Sequence, residues 1–207
     1  MDVSAPHTAL CPTLDSTVLT VLAGTTRPLT GREVARLAGR PSHKGVLDSL
    51  HRLCDHGLVD RSEAGRALLF TLNRDHLAAP AVQVLAAMRH ELLARIRTAV
   101  RDWTVAPIHL SLFGSAARGD GDVNSDIDLF LVRPTRIGDD DRPWAEKRDA
   151  LAEQIERWTG NRAGIIEVGE EELERLGRQQ PPVVSALRRD AIVVAGPPIA
   201  HLLPEPD

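Results

Sequence analysis

The stretch from Leu110 to Val132, LSLFGSAARGDGDVNSDIDLFLV, decides how the second half of this chain folds. An apolar run, LSLF, is stopped by Gly114-Ser115 and followed by a short helical run, SAARG. A polar, glycine-containing loop, DGDVNS, then leads to a second apolar run that opens with Asp126-Ile127-Asp128. Both apolar runs have the length and composition of buried strands. Side chains alternate along a strand, so Asp126 and Asp128 share one face and Ile127 takes the other. Carboxylates at that spacing repel one another unless a cation lies between them. Hard oxygen ligands of this kind suit Mg²⁺, which keeps several waters and recruits phosphate oxygens as further ligands. Backbone amides at the helix start, with Gly114 permitting close approach and Ser115 adding a hydroxyl, make a place for phosphate. Arg118, one turn on, is placed to neutralise phosphate charge and suits a solvated surface position equally well.

On either side of this stretch the pattern is helical. PAVQVLAAMRHELLARIRTAVRDW predicts a long helix starting at Pro80 and running to about Trp103, with Leu85, Met88, Leu92, Ile96, Ala99 and Trp103 on one stripe. Downstream, WAEKRDALAEQIERW reads as an amphipathic helix, AGIIEV as a short strand and GEEELERL as an acidic helix. PPVVSALRRDAIVVAG then reads as a proline-started helix and a last strand. Glu167 is the one acid on AGIIEV, with Ile166 and Val168 expected to face away from it into the packing of the sheet. The proline-rich tail predicts order only as far as about Ile199, and the GDDDR run and His201 read as solvated surface.

The first half has a different pattern. STVLTVLAG, RPLTGREVARLAG and RPSHKGVLDSLHRLCDHG predict three helices, and LVDR with ALLFTLN predicts two strands joined by a bend at Gly65. Thr30 and Glu33 form a capping box for the second helix, Ser42 caps the third and Gly57 ends it. The wet stripe of the third helix carries His43, Lys44, His51 and Arg52, with Arg61 and Arg66 beside the strand bend. The arrangement over residues 12–76 resembles a winged helix-turn-helix, which implies a recognition helix in the major groove and wing arginines on phosphate or in the minor groove. The same module also serves for dimerisation and docking, and Asp48 and Asp55 dilute the basic face. Cys54, His51 and His56 lie too close along one helix to converge on zinc, and no fourth ligand follows.

Composition bounds what such a chain can do. Its 207 residues are 43% hydrophobic, enough for two small cores, and a formal net charge of −4 leaves any nucleic-acid contact local. Two isolated cysteines, a start without leader character and no apolar run of membrane-spanning length point to a soluble, cytoplasmic protein.

The segment FGSAARGDGDVNSDIDL resembles the signature of the DNA polymerase beta superfamily of nucleotidyltransferases: Gly-Ser, a loop of about ten residues and Asp-x-Asp on the next strand, with Ser125 before the first aspartate. The resemblance spans about residues 85–196 and is nearest to the small, minimal branch. It implies an α+β chain in which the winged helix, residues 12–76, is joined by the long helix to a nucleotidyltransferase domain, residues 82–196, built on a mixed sheet with helices on one side. It further implies that Gly114, Ser115, Arg118 and Ser125 hold a nucleoside triphosphate and that Asp126 and Asp128 hold two Mg²⁺ ions. Glu167 is the candidate for a third carboxylate, serving as metal ligand, general base for the acceptor, or both. The implied reaction moves a nucleoside monophosphate, AMP from ATP in the favoured reading, to a hydroxyl of a protein, an RNA or a small molecule. Nothing after the last strand is long enough for a large acceptor-binding domain, so a partner is expected, as in antitoxins that adenylylate a toxin; a homodimer is left open. The competing class is a DNA-binding regulator that senses nucleotide without transferring it. Glu167 is the expected discriminator: a transferase needs a carboxylate near the metals, and a Glu167 pointing away from the aspartates would speak against transfer and for a two-module binder.

Overall fold

The computed structural model describes residues 1–3, 5–39, 41–122 and 124–203; the end of the tail, residues 204–207, lies outside the described residues. The chain divides into two units, residues 5–89 and residues 90 onward together with the first few residues. No described helix is long and apolar enough to cross a membrane.

In the first unit, helices α1 (Leu14–Ala23), α2 (Gly31–Leu37) and α3 (His43–Asp55) accompany strands β1 (Leu29–Thr30), β2 (Val59–Ala64) and β3 (Ala67–Leu72). Helix α2 starts where its capping box dictates. The Thr30 amide donates to Glu33 at 2.8 Å and the Glu33 amide donates to the Thr30 hydroxyl oxygen at 3.3 Å. The Ser42 hydroxyl oxygen accepts from the Gly45 amide at 3.1 Å and fixes the start of α3. Val18, Leu22, Val34, Val46, Leu50 and Phe70 are fully buried and make the centre of this core, the helical residues recurring at the spacing that the sequence shows. Gly65, with φ of 63°, turns β2 into β3. The sheet has one strand more than the expected hairpin: Leu29 and Thr30 pair antiparallel with Phe70 and Leu69, so its order is β1-β3-β2. A two-residue strand carries no alternation of its own, which is why periodicity could not announce it.

The second unit is built on the part of α4 (Ala79–Arg101) from His90 on, with β4 (His109–Phe113), α5 (Gly114–Arg118), β5 (Ile127–Arg133), α6 (Arg142–Thr159), β6 (Ala163–Gly169), α7 (Glu170–Gln179), α8 (Pro182–Asp190) and β7 (Ile192–Ala195). The sheet order is β6-β5-β4-β7 and the sheet is mixed: β5 and β6 run parallel, while β4 is antiparallel to both β5 and β7. Both faces of this sheet are covered, which corrects the expectation of helices on one side. Ile127, Leu129 and Leu131 of β5 join Leu92 and Ile96 of α4 and Ile155 of α6 in one core. Phe130 and Val132, the alternate residues of the same strand, join Leu173 of α7 with Val184 and Leu187 of α8 in another. A central strand that is apolar at every position from Leu129 to Val132 needs cover on both sides. The two faces, which alternation along β5 keeps apart, are what sort the acidic residues of the site.

Candidate active site

Asp128 is the second residue of β5, on the face shared with Phe130 and Val132. It pairs across the sheet with Phe113, the last residue of β4, and with Gly164 of β6. Directly after Phe113 the chain turns at Gly114, whose φ of 71° is a left-handed conformation open to glycine at no steric cost. Space demands glycine there as well. A β-carbon on Gly114 would lie 2.5 Å from Oδ2 of Asp128, so the carboxylate rests against the bare backbone of the turn. Burial pushes the Asp128 carboxyl above its ordinary range, the negative charge of Asp126 pushes it further, and Arg118 pulls back. Asp126 itself stands exposed just before β5 begins, separated from Asp128 by the fully buried Ile127. The structure therefore brings Gly114, Asp126 and Asp128 together at the end of one strand and the beginning of the next.

The remaining predicted contacts to nucleotide are set differently. Helix α5 is only five residues long, a single turn, and is too short to act as an anion-binding helix terminus in its own right. A β-carbon on Gly121 would lie 3.3 Å from the Ser115 hydroxyl and 3.4 Å from Ser125, so these two serines flank one glycine of the loop. The Ser125 hydroxyl is engaged with Asp122: it accepts from the Asp122 amide at 2.9 Å and donates to the Asp122 carboxylate at 3.1 Å. Arg118 is paired with Asp120 at 2.9 Å and with the nearly buried Asp190 at 3.3 Å, so its charge is already shared with two carboxylates. The sequence reading missed Asn161. This buried residue donates from Nδ2 to the Ser125 carbonyl at 2.8 Å and ties the approach to Asp126 down onto the end of α6. In the sequence it is indistinguishable from any polar residue of a helix-to-strand turn, and only the fold shows its reach.

Glu167 does not join the aspartates. In the parallel pair of β5 and β6, Asp128 is opposite Gly164 whereas Glu167 is opposite Leu131, and these positions differ by an odd number of residues. Glu167 therefore projects from the other face of the sheet, toward α6. There Oε1 accepts from Nε of Arg133 at 2.9 Å and from the Trp144 indole N–H at 3.1 Å, and Oε2 accepts from Arg148 at 3.1 Å. With 15% of its side chain exposed and three donors converging on it, Glu167 is the anionic centre of a packing network. The expectation that it is a metal ligand or general base is thereby corrected. Choosing the one acid on AGIIEV could not reveal which face that acid would take.

Two carboxylates are thus what the site offers a cation. Among the described residues, no three His, Cys, Asp or Glu side chains are grouped so that they could hold a metal ion. The donor set nevertheless fits one divalent cation bound jointly with phosphate. Asp126 and Asp128 repel each other and both are hard oxygen donors.

In the first unit, His43, Lys44, His51, Arg52, Arg61 and Arg66 are all exposed. Arg52 is nevertheless held by Asp15 of α1, with Nε at 3.0 Å from the carboxylate, which gives it a role in joining α1 to α3. Arg32 and Arg36 of α2, which the sequence reading left out, line an open cleft with Pro41 and His43.

Residues 93–181 match the family model described as nucleotidyltransferase domain, and the match takes in α5, both aspartates and the strand that carries Glu167. Over this segment the chain is similar to domains that transfer nucleotidyl groups. No curated protein and no solved structure matches the chain.

Proposed function

We propose that the second unit transfers a nucleoside monophosphate, AMP from ATP being the favoured case, to a hydroxyl brought by a partner macromolecule, in the manner of an antitoxin that modifies its toxin. The observation that carries this reading is the Asp128 carboxylate lying against the bare turn at Gly114, with Asp126 beside it. Asp126 and Asp128 would hold one Mg²⁺, which when bound screens the two carboxylates from each other and from the triphosphate. Ser115 stands at the same turn as a donor to phosphate. In the reaction the acceptor oxygen forms a bond to the α-phosphorus, the bond from that phosphorus to the bridging oxygen breaks, and pyrophosphate leaves. Glu167 is engaged on the other face of the sheet, so we assign the acceptor's proton to a group that comes with the acceptor or to solvent. This fits an acceptor that is itself a folded partner. The first unit, with its resemblance to a winged helix, would bind duplex DNA through α3 and the β2–β3 turn, with Arg32 and Arg36 added to the predicted contacts.

The test is incubation of the chain with radiolabelled ATP, Mg²⁺ and a lysate of its own cells. A labelled macromolecule together with released pyrophosphate is the expected result. Saturable nucleotide binding without a labelled product would instead favour a regulator that senses nucleotide. That second reading draws its support from the engagement of Glu167 on the far face of the sheet.

A further inference from the structure

The face of β6 that adjoins Asp128 carries no acid, and this limits what the site can bind. Gly164 is the residue of β6 paired with Asp128, and a β-carbon placed on it would lie 3.4 Å from Oδ1 of that aspartate. Any side chain at position 164 would therefore begin in contact with the carboxylate. Position 164 is where a third ligand from this strand would have to stand. The neighbouring positions on the same face are Arg162, which is exposed and cationic, and Ile166, which is apolar and 44% exposed. The acids of the preceding loop are engaged elsewhere: Asp120 pairs with Arg118, and Asp122 accepts from Ser125 and from the Asn124 amide. Glu167 is on the opposite face.

We infer that this site takes one divalent cation with its nucleotide and not two, because Gly164 occupies the position from which β6 would supply a third carboxylate. The inference rests on the nucleotide-site reading above and sharpens it. The two carboxylates, as ligands of the first ion, leave no further carboxylate of β5 or β6 on this face to hold a second. A second ion about 3.5–4 Å from the first would face strong repulsion, with only phosphate oxygens and water to hold it. The acceptor side of the site accordingly receives no acid from β6, in agreement with a partner that completes it.

Mn²⁺ read by electron paramagnetic resonance tests this on the full-length chain, with an ATP analogue that carries a methylene bridge between the α- and β-phosphates. The wild-type protein is expected to hold one Mn²⁺ per chain and to give the six-line spectrum of an isolated ion. A spin-coupled pair in the wild-type protein would overturn the inference while leaving the nucleotide site standing. Absence of any nucleotide-dependent bound Mn²⁺ would remove the nucleotide site, and the inference with it. Gly164→Asp, checked for a native circular dichroism spectrum, is expected to hold two Mn²⁺ and to show the coupled signal, and Gly164→Glu provides the same carboxylate with a longer reach. Both variants staying at one uncoupled ion while folded would refute the assignment of position 164.

Discussion

Asp128 is held in an environment that disfavours its own charge. Burial and the charge of Asp126 raise its pKa in the folded protein, so the native state binds that proton more tightly than the unfolded chain does. The consequence for stability has a definite sign. Stability falls as pH rises through the ordinary carboxylate range toward the raised value, and above it the ionised group is a net cost that a bound cation relieves. Asp128→Asn should accordingly raise the midpoint of thermal unfolding in the absence of divalent ions, and that advantage should shrink when Mg²⁺ and nucleotide are present. On the proposed reaction the same substitution should reduce pyrophosphate release on the order of 10²-fold or more, since Asp128 would help hold the cation that neutralises developing charge. Glu167 is the opposite case. Glu167→Ala leaves Arg133, Arg148 and the Trp144 indole facing a missing acceptor, at a cost on the order of 3 kcal/mol in urea unfolding. Turnover by the fraction that remains folded should stay within a few-fold of wild type. Equal loss of turnover in the two variants would return Glu167 to the reacting centre. The motif made the aspartates legible at this scale, because Gly-Ser and Asp-x-Asp are local in sequence. It left Glu167 open, since a face is assigned only by pairing with β5.

Among the elements, α2 shows how closely a short helix can follow local chemistry. Its first turn is closed by Thr30 and Glu33, and the Glu33 carboxyl is lowered to about 2, first by the Thr30 amide, then by the Thr30 hydroxyl and by Arg27. A depressed carboxylate contributes stability above its ordinary value of 4.5 and loses that contribution as pH falls toward about 2. Urea midpoints measured across this window should decline more steeply for the wild-type chain than for Glu33→Gln, with the two curves meeting at the acid end. Thr30→Ala should cost about 1 kcal/mol, the ordinary value of a helix cap. These boundaries could be read directly because a cap is a contact over three residues. Strand β1 escaped because two residues pair with Phe70 and Leu69 only after β3 is in place. The second cover of the β4–β5 sheet escaped for a related reason: a continuous apolar run announces burial, but it does not say which helix lies on which face.

For the molecule as a whole, the net charge of −4 means that any affinity for DNA must be local, and the proposed reading puts it on the first unit's exposed basic residues. In a gel shift of the full-length chain with its own upstream duplex, Arg61→Ala and Arg66→Ala should each reduce the dependence of log affinity on log salt by roughly one. Arg52→Ala should leave that slope nearly unchanged and lower stability slightly, because Arg52 is engaged with Asp15 on the surface. A salt slope altered by Arg52→Ala alone would place the DNA contact on α3 and away from the strand turn.

The amino-acid order by itself determined the succession of the helices and of every strand but β1, the caps, and the neighbourhood of Gly114, Asp126 and Asp128, since each of these is set by residues within a few positions of one another. Only the tertiary structure decided that the mixed sheet is covered on both faces, that Glu167 serves α6 and not the aspartates, and that Gly164 is the residue facing Asp128. Those are matters of strand register, and a shift of one residue between β5 and β6 would exchange the faces of every side chain on the strand.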